Sequence, residues 1–114
     1  MTAPSSDFEV SAEKALLPDG REGVAVKVAS PQIEINVWLT LEEAAALHGA
    51  PPEPSVAEAL RRGTSVGKPV HWSRDAQNRY FLLVGDDDET WDIGVTFGAA
   101  TYADIASAAL RCCR

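Results

Sequence analysis

The sequence predicts one small α+β domain, a mostly antiparallel sheet with helices packed on one face, in the order βββ-αα-βββ-α. Three observations carry that prediction. Apolar and polar residues alternate in several short runs, the period of a strand with one buried face. Beside those runs, Ser or Thr is followed three positions on by Glu or Asp, the mark of a capped helix start. The chain holds 114 residues, enough for one domain and too few for two with separate cores.

Residues 1–6 read as a flexible arm and residues 7–114 as the domain. Phe8, Val10 and Ala12 alternate with Glu9, Ser11 and Glu13, which predicts the first strand. Leu17-Pro18-Asp19-Gly20 is a turn, because proline presets φ and glycine accepts a positive one. Val24, Val26 and Val28 mark the second strand. Ser30-Pro31 breaks that run, and Ile33, Ile35, Val37 and Leu39 mark the third, with Gln32, Glu34, Asn36 and Trp38 on its other face.

The middle of the chain predicts two helices. Thr40 and Glu43 form a capping box, with Leu39 placed as a hydrophobic staple, and Gly49 ends the helix that follows. Pro51-Pro52-Glu53-Pro54 is a rigid connection. Ser55 and Glu58 form a second capping box, opening a helix through Val56, Ala57 and Leu60 that ends at Arg61-Arg62-Gly63.

The second half returns to strands. Val66, Val70 and Trp72 alternate with Gly67, Pro69 and His71, and Pro69, lacking an N–H, predicts a place at the sheet edge. Arg79 to Val84 is apolar on both faces, which predicts a central strand. Trp91, Ile93, Val95 and Phe97 alternate with Asp92, Gly94 and Thr96. A third capping box, Thr101 and Asp104, opens a last helix that buries Tyr102, Ile105, Ala106, Ala109 and Leu110.

Charge narrows the function classes. The net charge is −7, from 17 acidic and 10 basic residues. Nucleic-acid affinity comes from neutralising phosphates, and an anionic membrane surface asks for the same basic face, so both are disfavoured as partners. The basic pairs Arg61-Arg62 and Arg111 with Arg114 fall at expected helix ends, where they complement the helix dipole. The first residues lack a basic start and an apolar run, so no signal peptide is expected and a cytoplasmic location is. Cys112 and Cys113 are adjacent, too close to staple the fold, and are expected as free thiols. His48 and His71 stand at no recognised metal-ligand spacing from them, and no cofactor motif is present.

The most distinctive local feature is the acidic run Asp86, Asp87, Asp88 and Glu89, followed by Thr90, Trp91 and Asp92. As a calcium loop it fails, because the four carboxylates are consecutive and Gly85 precedes them. It reads either as a solvated hairpin turn or as an electrostatic contact for a basic protein. Trp72 and Trp91 fall in phase with buried positions, which predicts both in the core. Trp38 falls out of phase, on the open face of the sheet. No catalytic set is recognised: His71 and Trp72 point to opposite faces, and a pairing of Asp92 with Asp86 or Asp88 depends on distances the sequence does not contain.

The expectation is therefore a non-catalytic acidic binding module, an inhibitor of the immunity or antitoxin kind that masks a basic partner. Asp86, Asp87, Asp88, Glu89 and Asp92 would steer the partner, with Trp91 and Trp38 as anchors. The alternative is a small enzyme or ligand-binding subunit with a pocket between sheet and helices. A homodimer formed through an exposed edge strand stands beside both.

Overall fold

The computed structural model describes residues 8–49, 51–53, 59–87 and 89–113. Among them the chain order is β1 (Glu9–Leu16), β2 (Glu22–Ala29), β3 (Glu34–Thr40), α1 (Leu41–Gly49), β4 (Leu60–Ser65), β5 (Lys68–Arg74), β6 (Arg79–Gly85), β7 (Trp91–Gly98) and α2 (Ala99–Arg111). The seven strands form one antiparallel sheet whose spatial order is the chain order. Every strand-to-strand link but one is therefore a hairpin; α1 sits in the β3–β4 connection.

The alternation in the sequence sorts the residues onto the two faces. Val24, Val26 and Val28, with Ile35, Val37 and Leu39, are buried on one face, and Val70, Trp72, Tyr80, Leu82, Val84 and Phe97 continue that face across the sheet. Ala44 and Leu47 of α1, and Tyr102, Ile105, Ala106 and Ala109 of α2, close the core from above. Fully burying a side chain such as Ile105 contributes roughly 1.5–3 kcal/mol. α2 touches β1 and β2 at one edge and β6 and β7 at the other. Phe8 meets Phe97 edge to face at 6.1 Å. The sheet thus curls around α2.

Two polar side-chain groups fasten elements together across this core. The Tyr102 hydroxyl donates to the Leu47 carbonyl oxygen at 2.8 Å, joining α2 to α1. Trp72 Nε1 donates to the Arg62 carbonyl oxygen at 3.0 Å, so the largest core side chain leaves no unpaired N–H. Stacking of Tyr80 on Tyr102 at 4.6 Å, with Trp72 edge-on to Tyr102 at 5.9 Å, adds an aromatic cluster under the helix.

The expected architecture holds at the level of an antiparallel sheet with helices on one face, and differs in four places. The second expected helix does not reach its predicted end: Leu60, Arg61 and Arg62 belong to β4, and Ser55 and Glu58 lie outside the described residues. Pairing of Leu60 with Trp72 and Arg61 with His71 outweighs the local helix signal. Pro69 is not on an edge strand, since β5 is flanked by β4 and β6. It is tolerated because the β5–β6 ladder begins one residue later, at Val70↔Val84.

Val66 is not a strand residue. It heads a two-residue turn with Gly67, at φ of 47° and 80°, the doubly positive pattern of a type I′ hairpin. Thr101 is not a cap, because α2 starts two residues earlier with Gly98 as N-cap, and Thr101 is buried inside the first turn. By contrast, the Thr40 box forms as expected. The Thr40 backbone N–H donates to Glu43 Oε1 at 2.9 Å and the Glu43 backbone N–H donates to Thr40 Oγ1 at 3.0 Å.

Candidate functional site

The β6–β7 hairpin end carries the acidic run, and its geometry begins with a missing side chain. Val84 pairs with Ile93 but Gly85 pairs with Trp91, so Asp92 is an extra residue, a β-bulge in β7. A Cβ on Gly85 would stand 2.3 Å from Trp91 Cα and 2.5 Å from the Thr90 carbonyl oxygen. Only glycine allows so close an approach of the two backbones. The extra residue shifts the side-chain phase by one, and Trp91 turns from the core face to the outer face.

There a second glycine receives it. A Cβ on Gly94 would lie 2.8 Å from Trp91 Cζ3 and 3.2 Å from Leu83 Cδ2. The indole therefore lies along β7 over Gly94 and against Leu83, and it remains 49% exposed. The expectation that Trp91 is core is overturned, whereas Trp72, at 1% exposure, is core as its phase requires.

The carboxylates around Trp91 divide by what they do. Asp87 builds the turn: its Oδ1 accepts the backbone N–H groups of Glu89 at 2.8 Å and Thr90 at 2.6 Å, and the turn closes with the Asp86 N–H donating to the Thr90 carbonyl oxygen at 3.1 Å. Those N–H groups hold the Asp87 carboxyl below the ordinary 3.8 of an aspartate. Asp86 and Asp92 share one cation, with Lys68 Nζ 2.6 Å from Asp92 Oδ2 and 3.8 Å from Asp86 Oδ1. That arrangement holds the Lys68 ammonium above its ordinary 10.5, the Asp92 hydrogen bond acting most strongly and the Asp86 charge next.

Glu89 is exposed, and Asp88 lies outside the described residues. Beneath this end His71, buried on the outer face, places Nε2 3.2 Å from the Gly85 carbonyl oxygen. That contact ties β5 to the residue whose bareness makes the bulge.

Trp38 is on the open face, as its phase requires, and is 37% exposed. It lines a separate cleft of about 350 Å³ with Thr40, Thr64 and the β1–β2 turn. Three strands lie between β3 and β7, so the fold does not bring Trp38 to the acidic end.

The paired-carboxylate idea takes a definite form: Asp86 and Asp92 both face the Lys68 ammonium. Among the described residues no group of three or more His, Cys, Asp or Glu side chains is placed to hold a metal ion. No helix among them is long and apolar enough to cross a membrane.

Sequence reading missed the two residues that build the site, Gly85 and Gly94. The signal was present, since a glycine inside a strand pattern marks a bulge or a close approach. No protein-family model, curated protein or solved structure matches the chain.

Proposed function

We propose that this chain is a non-catalytic acidic binding module that covers a basic surface of a partner protein in the cytoplasm, as an immunity protein or antitoxin does. The observation that carries the reading is Trp91. A bulge and two bare backbone positions hold a large aromatic out of the core, half exposed, on a rim of carboxylates. Burying that indole against solvent-free partner surface is the chemistry of an interface anchor. The surrounding negative potential, within a net charge of −7, speeds encounter with a cationic surface. Asp86, Glu89 and Asp92, together with Asp88 of the same run, supply that potential; Asp87 shapes the loop that presents it.

The test separates anchor from steering. The wild-type chain is used to capture a partner, and binding rates are then measured at rising salt. Asp86→Asn with Glu89→Gln is expected to slow association and flatten its salt dependence, leaving the thermal midpoint unchanged. Trp91→Ala is expected to cost about 2 kcal/mol or more of affinity through faster dissociation. Gly94→Val, which displaces the ring without removing it, should act in the same direction. Rates unmoved by all three variants would dismiss this surface.

A further inference from the structure

A second site lies on the opposite face of the sheet, at its β1–β2 end, and is independent of the reading above. α2 stops at Arg111 while the β1–β2 hairpin runs on, so the described residues leave the end of the concave face uncovered. The result is a cleft of about 320 Å³, walled by Leu16, Leu41 and the adjacent Cys112 and Cys113, with Lys14 and Glu22 at the rim. Leu16 is 70% exposed there, a large apolar side chain with nothing described above it. Both cysteines are free and half-buried, and both face this one space.

The Cys113 thiol is held rather than loose. Cys113 Sγ donates to the Leu41 and Ala109 carbonyl oxygens, each at 3.5 Å, which fixes the sulfur between the start of α1 and the end of α2. The backbone N–H groups of Cys112 and Cys113 close the last turn of α2 onto Ala109 and Leu110. An internal bridge between neighbours would have to break this turn, because its geometry does not suit adjacent residues in helical conformation. Two free thiols lining one partly apolar cleft instead suit a single centre that takes two sulfurs.

We infer that the Cys112–Cys113 cleft binds a trivalent thiophilic centre carrying an apolar substituent, for which an aryl arsenical is the matching chemistry. The step is a condensation: an arsenic–oxygen group reacts with two S–H groups, two arsenic–sulfur bonds form, and both protons leave with the oxygen as one water. No oxidant or reductant is needed, and the aryl group rests on Leu16 and Leu41.

The probe is phenylarsine oxide, added to the full chain under non-oxidising conditions and followed by intact mass and by titration. The expected product is a one-to-one adduct, formed with loss of one water, that protects both cysteines from alkylation. Cys112→Ala and Cys113→Ala should each weaken binding on the order of a hundredfold, the gain that joining two attachment points gives. Leu16→Asp, a change at an exposed position, should weaken phenylarsine oxide several-fold and leave arsenite unaffected. Full affinity in either single-cysteine variant, or equal response of both arsenicals to Leu16→Asp, overturns the site. Should an alanine variant fail to fold, alkylation of the wild-type pair at saturating arsenical decides alone: protection upholds the site and modification refutes it.

Discussion

Val66 holds a backbone conformation that its own side chain opposes. At φ 47° and 77% exposure it is a β-branched residue in the left-handed region, at the tip of the β4–β5 hairpin, with no core contact to compensate. That region costs an L-residue roughly 1–2 kcal/mol, and asparagine is among the residues that tolerate it best. Val66→Asn is therefore expected to stabilise the fold by about 1 kcal/mol, read as a rise of roughly 4 °C in thermal midpoint. A midpoint that stays or falls would show that the Val66 side chain contributes a contact of its own. At the neighbouring hairpin the logic is reversed, for Gly85 and Gly94 act through the side chains they lack. Both are legible as strand glycines, yet nothing local says which aromatic would fill the space they leave.

Among the elements, α1 is the best specified by sequence and does more than its signal promised. Its capping box is complete, and Glu43 has a second oxygen to give: Oε2 accepts the Gly63 backbone N–H at 2.9 Å. This matters because β3 and β4 meet at a single register pair, Trp38↔Thr64. One carboxylate thus caps a helix and fastens the second half of the sheet to the first. Thr40→Ala should cost about 1 kcal/mol, the usual value of a lost cap. Glu43→Ala should cost more, about 2 kcal/mol, because a backbone N–H of β4 also loses its acceptor. Equal losses in denaturant titrations would mean that the bond to Gly63 contributes nothing. The second capping box, by contrast, misled the reading of residues 60–62, where cross-strand pairing with β5 prevails over a favourable local start.

For the whole molecule, the carboxylates set the acid limit of stability. Asp19, Asp75 and Asp87 are each held below the ordinary 3.8, first by backbone N–H groups of Arg21, Arg79 and Glu89 respectively. A carboxyl whose folded value is lowered contributes stability fully above its unfolded value, and that contribution fades as pH falls through the folded value. Thermal midpoints are thus expected to be flat on this account above about pH 5 and to drop below about pH 4. Asp87→Asn retains an acceptor oxygen for the Glu89 and Thr90 N–H groups but no longer titrates, so its midpoint should fall less steeply over the same interval. A midpoint for Asp87→Asn that tracks the wild type across the acid range would remove Asp87 from this account.

Periodicity and chain length by themselves determined the antiparallel sheet, the core faces of β2 and β3, the non-edge place of β6, the first helix and the open-face position of Trp38. These follow from rules that act within a few residues, namely alternation and capping. Only the tertiary structure decided the fate of residues 60–62, the central place of β5 and the exposure of Trp91. Each of those depends on what a distant strand offers: a pairing edge, a ladder that stops one residue short, or a bare glycine backbone close enough to push a bulge into its neighbour. A one-residue slip there moves an indole from one face of the sheet to the other, and sequence phase alone does not register it.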